Sequence, residues 1–301
     1  MLRLEHLAEL VQKYGGALRA EVRPIFLGRR ELPFGRRPVL MGVINLSPDS
    51  WYRESVCLTT ESAVRRGRIL AAQGADLVDV GAESTLAHAA RVEEALQQSR
   101  LCPVVRELAA AGIVVSVETY SAAVARAVLE AGAQVINLTG TAEADAVYDL
   151  VAAHDAALIL CYVQGAHVRA VGEFEFDADM VGRMAEWFAR ERDRARERGV
   201  EKVILDPGLG FYYRNLQDSA MRVRHQMRVF LQTFRLRTLG CPICHALPHA
   251  FEYFGEEVRC AEPFFAVLAA LGRTDLFRTH EVPRVRAVLE TLQVYDPRPG
   301  G

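Results

Sequence analysis

One pattern recurs eight times from residue 38 onward and limits the folds that the chain can adopt. Each copy is a short apolar run rich in β-branched residues, then a polar loop, then a helical stretch rich in alanine and arginine. Nearly continuous apolar strands separated by helices are typical of a parallel sheet covered on both faces. Eight such units in 301 residues favour a closed (β/α)8 barrel, an α/β fold, over an open sheet. The apolar runs are 39–47, 77–83, 114–120, 135–139, 157–163, 202–208, 241–247 and 276–280.

The residues outside this repeat divide the chain into three parts. Residues 1–37 are interpreted as an N-terminal extension with a helix over 2–14, a strand in AEVRPIFLG and a turn in ELPFG. Together the strand and turn suggest a hairpin that closes the bottom of the barrel. Residues 38–295 form the barrel itself, and the tail 296–301 is expected to be disordered.

Composition and charge exclude several classes of function. The formal net charge of −2 gives no electrostatic attraction to nucleic acid or to an anionic membrane, so neither is expected as a partner. No apolar stretch is long enough to span a bilayer, and the N-terminal helix lacks the apolar run of a signal peptide. We therefore expect a cytoplasmic protein.

Six cysteines are best interpreted as small buried apolar residues, because disulfides are disfavoured in the cytoplasm. Cys241-Pro-Ile-Cys244-His245 has the spacing of haem attachment and contains a redox-type C-x-x-C pair. Haem attachment requires export, and the segment has the pattern of a buried strand. The structural interpretation is therefore preferred.

Polar residues follow the apolar runs and mark where the chemistry should occur. The active site of such a barrel lies at the carboxyl ends of its strands. Carboxylates and amides placed there suit a flat heterocycle, since a carboxylate can accept two parallel N–H bonds from an amino-pyrimidinone edge. These residues are Asn45, Glu83, Glu118, Asn137, Gln164, Asp206, His245, Arg278 and His280.

Six short motifs, in order and one per strand end, resemble those of the dihydropteroate synthase family. The segment MGVINLSPDS at 41–50 is similar to that family's opening signature, and GAEST at 81–85 to its G-G-E-S-T-R-P loop. The other matches are SVETY at 116–120, IN at 136–137, LDPGLGF at 205–211 and RTHEV at 278–282. One such motif is weak, but six in register are specific.

The resemblance implies a substrate and a reaction. The family joins a hydroxymethyl-dihydropterin pyrophosphate to an arylamine and is typically dimeric, so a homodimer is expected here. By matching position, Glu118, Asn137, Asp206 and Thr85 are assigned to the pterin. Asn45 is assigned to magnesium and the pyrophosphate ester, and Arg278, His280 and His249 to the catalytic region near the leaving diphosphate. Mg²⁺ would accompany the diphosphate substrate.

The residues that handle the anion depart from the family pattern. Leu86 and Ala87 replace the arginine and proline that follow G-G-E-S-T, and His249 falls where the family has a lysine. Losing buried donors to a developing charge costs about a hundredfold or more in rate. Candidate replacements in the sequence are Arg53, Arg214, His245 and His249.

Three functions remain open from the sequence. The first is a dihydropteroate synthase-like transferase, with an altered pterin or arylamine, as in a methanopterin-type pathway. The second is a pterin-binding protein with impaired catalysis, and the third is a methyltransferase barrel that uses a methylated reduced folate. Two structural interpretations also stand: a Glu118–Arg278 ion pair, and zinc bound by His245, His249 and His280.

Overall fold

The computed structural model describes residues 1–47, 49, 55–83, 92–211 and 213–295. The strands of this part are β1 (Ile25–Leu27), β2 (Arg30–Leu32), β3 (Val39–Asn45), β4 (Leu77–Gly81), β5 (Val114–Thr119), β6 (Val135–Leu138), β7 (Ala157–Cys161), β8 (Lys202–Asp206), β9 (Cys244–Ala246) and β10 (Leu276–Thr279). The α-helices are α1 (Leu4–Tyr14), α2 (Thr60–Ala72), α3 (Glu94–Ala110), α4 (Ala122–Glu130), α5 (Ala144–Ala153), α6 (Met180–Glu197), α7 (Ser219–Gln232), α8 (Phe251–Phe254), α9 (Ala261–Leu271) and α10 (Val282–Gln293).

Strands β3 to β10 form one parallel barrel, as the repeat predicts. From β3 to β8 each strand pairs with the next along the chain, and β10 pairs with both β3 and β9. The ring is completed by a parallel bridge between Leu205 in β8 and Ile243, which immediately precedes β9. The predicted (β/α)8 fold is confirmed, with β9 four residues shorter than its apolar run and the other barrel strands one or two residues shorter.

The predicted N-terminal hairpin is present and lies against the bottom of the barrel. β1 and β2 pair antiparallel, and the turn between them contains Gly28 with φ +57°. The hairpin turn therefore precedes ELPFG, whose Glu31 and Leu32 belong to β2, and the last residues of ELPFG form a separate turn at 34–36. Leu32 and Phe34 are fully buried, in one apolar cluster with residues at the amino ends of the barrel strands. The hairpin thus shares a core with the barrel, and the boundary at residue 37 stays a prediction.

Helix ends follow local capping rules. The hydroxyl of Ser121 accepts a hydrogen bond from the backbone N–H of Val124 at the start of α4. Asp179 caps α6 in the same way through Gly182. Within the described residues, no helix has both the length and the apolar character needed to cross a bilayer. The predicted disordered tail, 296–301, lies outside the described residues.

The shared core predicts a large difference between two phenylalanines of the N-terminal extension. Phe34→Ala should lower the free energy of unfolding by about 3–5 kcal/mol, because it leaves a cavity beneath the barrel. Phe26, which is 54% exposed in β1, is the matched control, and Phe26→Ala should change stability by less than about 0.5 kcal/mol. Urea denaturation measures both free energies of unfolding. Equal losses would contradict the packing of the hairpin against the bottom of the barrel.

Candidate active site

Parallel register brings four residues to one level at the carboxyl ends of adjacent strands. Asn45 on β3 is paired with Gly81 on β4, Gly81 with Glu118 on β5, and Glu118 with Asn137 on β6. A side chain at Gly81 would begin 3.9 Å from both Asn45 Oδ1 and Glu118 Oε2. The glycine therefore leaves a gap between an amide and a carboxylate, where a ligand can approach both.

Asp206 lies on the far side of the same cleft, at the end of β8. It is 4% exposed, and its Oδ1 accepts a hydrogen bond of 2.8 Å from the backbone N–H of Gly208. Gly208 has φ +71°, and a Cβ there would lie 2.3 Å from the carbonyl oxygen of Tyr162. The Asp-Pro-Gly segment is thus both a strand-ending turn and a wall of the cleft, and the turn requires glycine.

Arg278 crosses the barrel from β10 and is held between two carboxylates. Its Nε donates to Asp79 Oδ2 and its Nη2 donates to Glu118 Oε2, each at 2.7 Å. Asp79 also accepts hydrogen bonds from Ser116 Oγ at 2.6 Å and from Asn137 Nδ2 at 3.1 Å. The Glu118–Arg278 pair considered from the sequence is therefore present, and the guanidinium charge is largely neutralised by protein groups.

Burial shifts the protonation of the carboxylates in this cluster. Burial raises the pKa of Glu118 to about 7, against the opposing charge of Arg278 and with support from Asp79 and Asp206. Burial also raises the pKa of Asp206 to about 6, although the hydrogen bond from Gly208 opposes it. Burial by itself lowers the pKa of Arg278. The negative charges of Asp79 and Glu118 have the opposite and larger effect, so the pKa of Arg278 is raised. Shifted carboxyl groups in a cleft are typical of functional sites.

Two histidines and a glutamate form a second cluster in the wall of the cleft. Glu262, at the start of α9, is 1% exposed, and its Oε1 lies 2.8 Å from His280 Nδ1 and 3.7 Å from His249 Nδ1. Burial and the neighbouring His280 lower the pKa of His249 to about 4. His249 is therefore neutral at pH 7 and does not supply the charge of the lysine whose position it takes.

The structure gathers the predicted site residues that it describes into this one cleft. The residues that line it include Asn45, Glu118, Asn137, Asp206, His249, Arg278 and His280. Their roles stay predictions, but their proximity supports one shared site. Thr85 and Arg53 lie outside the described residues, as do Leu86 and Ala87.

Two residues predicted near the mouth lie elsewhere. His245 is fully buried between the barrel and α7, where its Nε2 is 2.8 Å from Thr233 Oγ1 and its ring packs edge-on against Phe230. It therefore cannot join the zinc cluster or the polar ring for which it was considered. Arg214 is exposed and does not line the described cleft.

Asp79 and Glu262 are site residues that are absent from the set predicted from the sequence. Asp79 has a recognisable signal, because a charged residue within the apolar run LVDVG is buried only when it is paired. Glu262 has no such signal, since its helix begins 15 residues after Ala246 and its partners come from other elements. Arg222 was also missed as a cleft residue, and it bonds Glu252 Oε1 at 2.6 Å.

The two cysteines of the C-x-x-C pair are buried in different surroundings. Cys244 lies on β9 beside Asp206, and Cys241 lies near the arginines of α6. Burial raises the pKa of both thiols and keeps them protonated at neutral pH, which disfavours thiolate chemistry.

Comparison with known proteins decides the family. The model of the family described as pterin binding enzyme matches residues 41–247. The dihydropteroate synthase of Mycobacterium leprae is 33% identical over 264 residues, which cover 85% of this chain and 91% of that protein. The chain belongs to the dihydropteroate synthase family. The family and transferase class predicted from the motifs are therefore confirmed.

Solved structures of family members agree with this membership. Dihydropteroate synthase of Xanthomonas albilineans with 4-aminobenzoic acid is 27% identical, with a TM-score of 0.77 over 92% of this chain and 100% of that one. The Thermus thermophilus enzyme in complex with 6HMPPP is also 27% identical, with a TM-score of 0.73 over 91% of this chain and 100% of that one. The barrel is thus the fold of these dihydropteroate synthases.

The raised pKa of Glu118 predicts a pH-dependent stability effect. The folded-state value of about 7 lies above the usual 4.5, so wild-type stability falls as pH rises between these values. Glu118→Gln has no such proton to lose. Its free energy of unfolding relative to wild type should therefore rise by up to about 3 kcal/mol between pH 4.5 and 7.

Urea denaturation at pH 5 and pH 8 measures this difference. The exposed Glu5→Gln is the control, and its difference from wild type should stay constant within about 0.5 kcal/mol. A constant difference for Glu118→Gln as well would show that burial does not perturb this carboxyl group.

Proposed function

We propose that this protein joins a hydroxymethyl-dihydropterin pyrophosphate to an arylamine. The amine nitrogen attacks the methylene carbon, a C–N bond forms, the C–O bond to the diphosphate breaks, and the amine loses a proton to solvent. The observation that carries this proposal is the cleft itself, in which Asp206, Asn137 and Glu118 face Asn45, Arg278 and His280. Structures of relatives with 4-aminobenzoic acid and with 7,8-dihydropteroate support the same substrate class.

The buried carboxylates supply the pterin end of the site. When ionised, Asp206 can accept two N–H bonds from the amino-pyrimidinone edge, and these donors would replace solvent that its burial excludes. The amide nitrogen of Asn137 donates a hydrogen bond to Asp79 Oδ2, and its amide oxygen accepts one from Cys161 Sγ at 3.2 Å. Its amide is therefore held in one orientation, and Glu118 extends the acceptor surface beside it.

The leaving diphosphate would lie at the opposite wall of the cleft. Arg278 and His280 line this wall and would receive it. Because Arg278 is shared between Asp79 and Glu118, it offers less attraction to an anion than an unpaired arginine would. The described protein groups at this end are consequently weak in positive charge.

Magnesium would fit the oxygen donors near Asn45. The amide nitrogen of Asn45 donates to Ser55 Oγ at 2.6 Å, which leaves its carbonyl oxygen on the side of Gly81 and Glu118. Amide and carboxylate oxygens are the ligands that this ion prefers. Mg²⁺ bound there would shield the negative charge of the diphosphate, and Asn45 would be its protein ligand.

A second candidate function is supported by the paired state of Arg278. A pterin-binding protein that does not turn over the ester needs the carboxylates and Asn137, but it needs no free cation for a leaving group. Both functions predict pterin binding, and they differ in how the diphosphate contributes.

Calorimetric titration distinguishes these two functions. Hydroxymethyl-dihydropterin and its pyrophosphate ester should each be titrated with and without Mg²⁺. A transferase should bind the ester at least about tenfold more tightly than the alcohol, and only with Mg²⁺ present, since the ion screens the diphosphate. Equal binding of both would favour the non-catalytic binder, and binding of neither would refute a pterin site.

Asp206→Asn tests the pterin end separately. Losing charged hydrogen bonds should weaken binding of the alcohol by about tenfold to a hundredfold. Asp193→Asn on the exposed face of α6 is the matched control and should bind like wild type. Unchanged affinity in Asp206→Asn would move the pterin to another part of the cleft.

The assembly and location of the protein are also proposals. A homodimer is expected from the family, and α1, which has no buried residue but carries the exposed Leu4 and Val11, offers an apolar surface for it. Light scattering should give twice the chain mass of 33.4 kDa, and a monomer mass would remove this proposal. A cytoplasmic location is likewise proposed, since this is where a small charged pterin ester would be retained.

A further inference from the structure

Three potential metal ligands converge on the wall of the cleft from three separate elements. His249 follows β9, Glu262 begins α9, and His280 follows β10. One ligand atom from each lies within 4.8 Å of the other two. Both histidines line the cleft, whereas Glu262 lies behind them at 1% exposure.

Glu262 is fixed in place by donors on one of its oxygens. Its Oε2 accepts hydrogen bonds from the hydroxyl of Thr279 and from the backbone N–H groups of His280, at 2.9 Å, and Glu281, at 3.2 Å. Its other oxygen, Oε1, is the one near both imidazoles. The carboxylate is therefore oriented before any ligand arrives, which lowers the cost of binding one.

The donor set is typical of a zinc site with an open coordination position. Two imidazoles and one carboxylate bind catalytic zinc in several hydrolases, and a water or substrate oxygen fills the fourth position. At metal–ligand distances of about 2.0–2.2 Å, tetrahedral ligand atoms lie roughly 3.3–3.5 Å apart. The observed separations of 2.8 and 3.7 Å from Glu262 Oε1 bracket this value, and the ligand atoms of the two imidazoles lie within 4.8 Å of each other.

Glu262 is the carboxylate that would compensate a cation at this position. Arg278 lines the same cleft, and its charge is already paired with Asp79 and Glu118. A dication held by one carboxylate would therefore leave positive charge facing the cleft. That charge would lie on the same wall as His280, beside the proposed diphosphate position.

We propose that His249, Glu262 and His280 bind a divalent transition-metal ion of the zinc class, whose open position accepts an oxygen of the diphosphate. This ion is distinct in type and position from the Mg²⁺ proposed at Asn45, because nitrogen ligands select zinc-like ions and oxygen ligands select magnesium. Only the diphosphate contact rests on the proposed function, whereas the metal site stands on the three residues themselves.

Zinc titration of the purified, chelator-treated chain tests the site without any pterin. Competition with a chromophoric chelator should show one Zn²⁺ per chain, and Co²⁺ should give the visible absorption of a tetrahedral complex. His249→Asn and His280→Asn should each weaken zinc binding at least about a hundredfold, because each removes a ligand. Glu262→Gln should also weaken it, while retaining the size of the side chain.

His154→Asn is the matched control, since His154 is an exposed histidine at the end of α5, away from the cleft. It should bind zinc like wild type. Circular dichroism and thermal unfolding check each fold, and if Glu262→Gln does not fold, His249→Asn decides the question. Absence of one-to-one binding in wild type, or equal affinity in wild type and the His249 and His280 variants, would overturn the site.

A second titration separates the metal site from its role. The pyrophosphate ester, but not the alcohol, should bind at least about tenfold more tightly to the zinc-loaded chain than to the chelator-treated chain. If zinc binds but the ester affinity does not change, the diphosphate contact is wrong and the metal site stands. If zinc binds and neither pterin binds, the proposed function fails while the metal site again stands.

Discussion

The ion pairs of Arg278 with Asp79 and Glu118 organise the interior of this barrel at its carboxyl end. A guanidinium group enters from β10 and reaches carboxylates on β4 and β5, so three strands are tied together through one side chain. Removing one member of such a buried set costs about 3–5 kcal/mol, because it leaves another charge without its partner. The same contacts fix Asn137 through Asp79, and thereby set the shape of the proposed pterin end.

This arrangement has a consequence for chemistry. Asp79, Glu118 and Asp206 share one buried guanidinium, so burial and mutual repulsion raise the pKa of Glu118 and of Asp206 toward neutrality. A pterin that brings N–H donors would relieve this imbalance, whereas a diphosphate would meet a cation that is already engaged. The cleft is therefore better suited to the ring of the substrate than to its leaving group.

The histidine cluster lies on the same wall as Arg278, whose charge is already paired with Asp79 and Glu118. His249 is neutral at pH 7 and is not a replacement for a lysine, but it faces His280 across the buried carboxylate of Glu262. A metal ion at that position would restore a cationic wall by a different route. The departures from the family pattern would then amount to one change in how the anion is held. His249 and Glu262 come from separate elements, but they would act together on one metal ion.

The sequence by itself determined the fold, the family and the residues at the strand ends. Apolar runs of the right length dictate buried parallel strands, and polar residues that end them must meet at one edge, so Asn45, Glu118, Asn137, Asp206 and Arg278 could all be placed in one site. Asp79 could also have been found, since a charge within an apolar strand needs a partner. Only the tertiary structure decided that Arg278 is neutralised, that His245 faces the helices, and that Glu262 joins His249 and His280. These contacts depend on side-chain direction and on helix packing between distant segments, which no local pattern of residues encodes.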